Sequence, residues 1–191
     1  MQKEYDWIRQ EKRKIKNQCQ FYKVQKALIK TLKKKAGLNQ DTINSFLSCC
    51  PNFIGCFGQD ELKNLKLKSF PLTLITNTEN SYQNGSHWIM IHISKKYIEV
   101  FCPLGFNILN YSSVPCDLLD FLHLHSRLKT IRVFKRVQSD SSRLCGYFCV
   151  LFTLLRQNLS FSFLHSKFVS VVKSRRLLIK FFKYFSLFQN F

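Results

Sequence analysis

The sequence predicts an α+β fold on three observations. Apolar residues recur at helical spacing near both ends of the chain, short β-rich runs cluster between residues 70 and 137, and strands and helices do not alternate as βαβ units would require. Residues 1–36 read as a basic helical extension, with Phe21, Val24, Leu28 and Leu32 on one face and Lys or Arg around them. "KKKAGLNQD" ends that helix, with Lys in the last turn and Gly37 just past it. Asp41 is the expected cap of a short helix, "TINSFLSC", before the break at Pro51.

From residue 70 the grain changes. "FPLTLIT" is β-rich, "TENSYQNGS" is turn material, and "HWIMIHI" (87–93) and "YIEVFC" (97–102) form a hairpin across a short connection, ended by Pro103 and Gly105. Residues 116–126 read as a helix, "KTIRVFKRV" (129–137) as a strand, and 145–158 as a buried helix, apolar nearly all round. In the tail, Leu177, Leu178, Phe181, Phe182, Phe185 and Phe188 share a helical face flanked by Arg175, Arg176, Lys180 and Lys183. A basic amphipathic helix packed on the core is expected there, in preference to one lying on a membrane. The division is therefore an extension over 1–36 and one domain over 37–191.

The formal charge is +19, and it is unevenly spread: residues 1–36 hold 12 Lys and Arg against three acids, and no acid follows Asp140. Such an excess predicts a polyanionic partner, nucleic acid, held through the basic N- and C-terminal segments with little sequence preference. No run of 18 uncharged apolar residues occurs, so no transmembrane helix is expected, and the charged N-terminus does not read as a secretory signal. The eight cysteines make no CxxC pair, which predicts a reducing, intracellular setting. Cys49, Cys50 and Cys56 lack the paired spacing of a structural zinc site, so neither a metal nor an organic cofactor is expected.

The chemistry concentrates where the polar loop "VQSDSSRL" meets "CGYFC". Cys145 falls at the start of the buried helix, where unpaired N–H groups and the positive end of the helix dipole favour a thiolate. Gly146 is expected to leave room for a substrate backbone. His87 opens a strand after a flexible turn and is the candidate base, with Trp88 beside it as a cleft wall. Gln138, seven residues before Cys145, is the candidate side-chain donor for an oxyanion, paired with the Cys145 N–H.

These motifs together, "GSHWIMIHI", "YIEVFCPLGF" and "VQSDSSRLCGYFC", resemble the adenain family of cysteine proteases, which includes the adenovirus maturation protease and proteases of Maverick/Polinton-type elements. "FIGCFGQDEL" (53–62) is similar to that family's N-terminal segment, and the resemblance spans about residues 38–165. It implies an α+β protease fold with a central mixed sheet and a buried helix starting at the nucleophile. It further implies Cys145 as nucleophile, His87 as base, Gln138 as oxyanion donor, a polypeptide precursor as substrate, DNA as activator, and a monomer working in the host nucleus or the virion.

One position departs from the family. The residue before Pro103, where Glu or Asp would steady the imidazole, is Cys102. Glu99 is the nearest acid, and strand alternation turns it to the opposite face. Cys102 is thus the candidate orienting group for His87, and the chain reads as a Cys–His enzyme. The cysteine through which the family's activating peptide is attached would fall near Arg127, so that linkage is not expected. The alternatives are a ubiquitin-like-protein-specific protease of the same clan, or an inactive protease scaffold that binds nucleic acid.

Overall fold

The structure, a computed structural model, describes residues 6–8, 10, 11, 14, 37–105, 114–127 and 129–186. The expected helix around Phe21–Leu32 and the position of Phe188 lie outside the described residues. In chain order the elements are α1 (Gln40–Leu47), β1 (Phe53–Phe57), a 3-10 turn (Gln59–Asn64), β2 (Leu72–Asn77), β3 (Trp88–Ile93), β4 (Tyr97–Phe101), α2 (Cys116–Ser126), β5 (Thr130–Val133), α3 (Cys145–Arg156), α4 (Phe161–Lys167) and α5 (Val171–Ser186).

The class is α+β, as expected, and the five strands form one mixed sheet in the order β1-β2-β3-β4-β5. β2–β3 and β3–β4 are antiparallel, while the two edge pairings are parallel. β1 was not foreseen as a strand; its "FIGCF" is short, and Gly55 interrupts its register. The expected strand over 129–137 is only Thr130–Val133, because Phe134–Gln138 turns away to meet the β4 end. The cap of α1 is Asn39, whose side chain accepts from the Thr42 N–H at 3.0 Å, and not Asp41, which lies in the first turn.

Helices cover both faces of the sheet, which is why β3 is buried along its whole length and is apolar but for His92. Ile89, Ile91 and Ile93 point with Ile98, Val100 and Cys102 toward α2 and the 3-10 turn. Trp88, Met90 and Phe101 point the other way, toward α1, α3, α4 and α5. Aromatic packing ties β4 to α3: the Phe101 and Phe152 rings stack at 4.2 Å, and Phe134 meets Phe101 edge-on at 5.1 Å.

The apolar face of α5 is spent on this core: Leu177, Leu178, Phe181 and Phe182 are buried, and Val172, Lys173, Arg175, Arg176 and Ile179 face outward. Near the N-terminus, Asp6–Ile8 is helical. Ile8 is buried in the same core as α3, and the Trp7 ring meets Phe163 at 5.5 Å. Among the described residues no helix is long and apolar enough to cross a membrane.

Candidate active site

His87 is placed by a loop that Asn77 closes. The Asn77 side-chain oxygen accepts from the Glu79 N–H at 3.0 Å and the Ser86 N–H at 3.1 Å. Gly85 has φ +75°, and a Cβ there would stand 2.6 Å from the Asn77 amide nitrogen, so only glycine fits the return. Asp60 holds the loop's far side by accepting from the Ser81 N–H and hydroxyl. His87 is thereby delivered to the head of β3, 7% exposed. The β3–β4 register sets Met90 opposite Phe101, which puts Cys102 on the diagonal from His87. Their contact is direct: His87 Nε2 lies 3.2 Å from Cys102 Sγ.

The next turn carries Gln138 to the same place. Gly105, at φ +74°, donates to the Cys102 carbonyl at 2.9 Å, and a Cβ on it would press into the Arg136 backbone. The Pro103 carbonyl accepts from the N–H groups of both Val137 and Gln138, at 2.9 Å each. The Gln138 side chain is buried, and one N–H of its amide donates to the Ser142 carbonyl at 2.7 Å. Its Oε1 is buried without a partner, and its second N–H is left over.

Cys145 begins α3, as the sequence predicts, with no side chain capping the helix. Its sulfur lies beside the Trp88 backbone and the N–H groups of the helix start, which favour the thiolate. Cys145 thus lies beside Trp88, the next residue in the chain to His87. The Trp88 indole is fixed in turn, donating to the Leu38 carbonyl at 2.8 Å. The space beside Gly146 is filled: a Cβ there would stand 3.0 Å from Leu38 Cβ and 3.2 Å from Trp88 Cδ1. The glycine therefore serves the packing of α3 on this wall, and the expected open approach over Gly146 is corrected.

Electrostatics also correct an expectation. Burial pushes the Cys145 thiol up, against the pull of the neighbouring backbone, so the helix start alone does not make a thiolate. Burial pushes His87 down to about 4. At neutral pH the resting pair is thus thiol and neutral imidazole. Glu99 takes no part: its carboxylate is held by Arg156, at 2.7 and 3.2 Å, on the opposite face of β4 and across from His92. Cys49 is disulfide-bonded, which the reading of a wholly reduced set of cysteines did not foresee. Among the described residues no group of three His, Cys, Asp or Glu could hold a metal ion.

No family model and no curated protein matches the chain. Solved structures do. The chain is similar to a protease of ASFV at 16% identity and TM-score 0.47, over 77% of this chain and 67% of that one. It is similar to the C-terminal Ulp1 protease domain, solved with the yeast ortholog of SUMO, at 18% identity and TM-score 0.43, over 81% and 80%. AvrA with IP6 and CoA matches at 12% identity and TM-score 0.44, over 95% and 74%. Two of the three carry the name of protease, and at this distance the chemistry has to be argued from the residues of this chain.

Sequence reasoning missed Asn77 and Leu38. The Asn-Gly pair before His87 signalled the turn, but the side chain that closes it, Asn77, lies seven residues upstream of Asn84. Nothing local marks the Leu38 carbonyl as the partner of an indole 50 residues away.

Proposed function

We propose that the chain is a cysteine endopeptidase with Cys145 as nucleophile and His87 as base. The observation that carries this reading is that Cys145, at the head of α3, lies beside Trp88, while the adjoining His87 has its Nε2 3.2 Å from Cys102. In the productive tautomer Nε2–H donates to the Cys102 sulfur, which leaves Nδ1 unprotonated to take the thiol proton. Sulfur attacks the scissile carbonyl carbon as the S–H proton moves to His87. The oxyanion takes the Cys145 N–H and the second N–H of Gln138. Collapse breaks the C–N bond, and His87 passes its proton to the leaving amine. Water then hydrolyses the thioester through His87 and restores the thiol.

The sulfur at Cys102 is a weaker acceptor than a carboxylate, so the imidazolium formed in the first step is stabilised less than in a triad with an acid. A neutral thiol with a neutral imidazole makes a slow enzyme. The resemblance in "HW", "CPLG" and "CGYFC" directs the substrate toward structural precursor proteins of a virus or virus-like mobile element, cleaved by a monomer in the host nucleus or virion and stimulated by DNA. Incubation of the purified chain with such a precursor and with a ubiquitin-like fusion, followed by mass spectrometry of the fragments, tests both substrate classes. Cleavage of the precursor that disappears in Cys145→Ala supports the reading, and cleavage of the fusion alone moves the chain to the ubiquitin-like specificity. No cleavage of either, together with Cys145 alkylation by iodoacetamide no faster than at an ordinary thiol, would leave the inactive nucleic-acid-binding scaffold.

A further inference from the structure

We propose that Cys149 is a positioning residue: its thiol clamps the Trp88 peptide and thereby fixes the Cys145 sulfur relative to His87. This rests on the assignment of Cys145 and His87 above. Cys149 lies one helical turn after Cys145, so both side chains leave the same face of α3 toward β3. Cys149 is fully buried, and its S–H donates to the Trp88 carbonyl at 3.3 Å. α3 therefore holds the Trp88 carbonyl through Cys149, one turn after Cys145, whose neighbour Gly146 packs on the Trp88 ring.

The sheet leaves the Trp88 carbonyl for the helix to take. The Thr78 N–H donates to the His87 carbonyl, so Thr78 and His87 form the hydrogen-bonded pair of the β2–β3 ladder, and Asn77 and Trp88 form the neighbouring non-bonded pair. The N–H and C=O of Trp88 then point away from β2. On the β4 side, the register carried back from Met90 and Phe101 puts Pro103 opposite, and proline has no N–H to offer. A buried carbonyl without a donor is costly, and the Cys149 thiol is the donor supplied. A shift of α3 along β3 would break this contact and carry Cys145 along the strand with it.

The test uses the full chain, with Cys149→Ala and Cys149→Ser. Circular dichroism confirms folding, the pH profile of Cys145 alkylation by iodoacetamide is mapped by mass spectrometry, and kcat and KM are measured on a cleaved precursor. Alanine removes the donor, loosens α3 on Trp88 at the turn that follows Cys145, and is expected to raise the alkylation midpoint by about half a pH unit. It should also lower kcat about tenfold with KM unchanged. Serine keeps a donor and should hold the midpoint and stay within about threefold of the parent kcat. A purely packing role predicts the reverse order, because a hydroxyl suits an apolar core less well than a methyl. Equal midpoints in all three folded proteins, or Ser worse than Ala, overturn the proposal. If no precursor is cleaved but the midpoint moves in Ala and not in Ser, the endopeptidase reading fails and the clamp stands.

Discussion

Cys102 sets what His87 can do. A thiol on Nε2 holds the ring but lends it little charge, and burial keeps the imidazole near a pKa of about 4. Cys102→Asp places a carboxylate at nearly the same volume, which favours the imidazolium and raises the His87 pKa. The expected outcome is a rise in kcat of about tenfold, worth about 1.4 kcal/mol of barrier, and an acid limb of the pH–rate profile moved upward. Cys102→Ala leaves Nε2 without a partner and lowers kcat by about tenfold. Steady-state kinetics across pH on the cleaved precursor decides, and identical profiles for the Asp, Ala and parental proteins would remove Cys102 from the mechanism. Much of this was legible in the chain, since "HW", "CPLG", Gln138 and "CGYFC" named the four side chains. The state of each was not, because a thiol at a helix start is drawn down by the N–H groups and pushed up by burial, and only burial in three dimensions says which wins.

At the scale of the element, α3 is the axis of the site. Its first turn carries Cys145, and its last residue, Arg156, reaches the buried Glu99 on β4 and the Leu159 carbonyl at 3.0 Å. His92, across from Glu99, has its Nδ1 2.8 Å from the Thr73 hydroxyl. The two ends of α3 are thus bound to the sheet by different chemistry, thiols at one end and an ion pair at the other. Arg156→Met strands the Glu99 carboxylate in the interior, and a loss of about 3 kcal/mol is expected in urea unfolding at pH 7. The double change Arg156→Met with Glu99→Gln should recover part of that loss, since no buried charge remains. If the single variant matches the parent, the pair does not hold α3. The apolar run of α3 announced a central helix, yet nothing in it indicated that Arg156 would find an acid 57 residues upstream.

Two properties belong to the whole molecule. His87 and His92 are both held at about 4 by burial, with Arg156 lowering and Glu99 raising the second. In the unfolded chain each titrates near 6.5, so between those values the unfolded state binds more protons, and folding weakens as pH falls. Stability should be level above about pH 6.5 and drop on the way to about pH 4, by on the order of 3 kcal/mol for each histidine. Urea midpoints at pH 7.5, 5.5 and 4.5 measure this. His92→Gln should remove about half of the fall between pH 6.5 and 4.5, and a midpoint indifferent to pH counts against it. The second property is charge. Lys173, Arg175 and Arg176 stand outward on α5 in a chain of net charge +19. Duplex DNA binding is expected to weaken about a hundredfold between about 50 and 200 mM salt. The triple change to Gln should flatten the dependence of log K on log salt by about two to three units. A slope untouched by these changes would place the contact elsewhere.

The sequence by itself determined the class, the hairpin that bears His87, the helix that begins at Cys145, and the residue types of the candidate site. Those follow from periodicity and turn chemistry, which are local and survive without a fold. Only the tertiary structure decided that Ile8 joins the domain core, that the space over Gly146 is filled by Leu38 and Trp88, that Glu99 belongs to Arg156, and that the thiol and imidazole rest uncharged. Each of these depends on which distant groups share one dry volume. Burial sets the cost of a charge and the reach of a hydrogen bond, and it is a property of the packed chain that no single stretch of residues encodes.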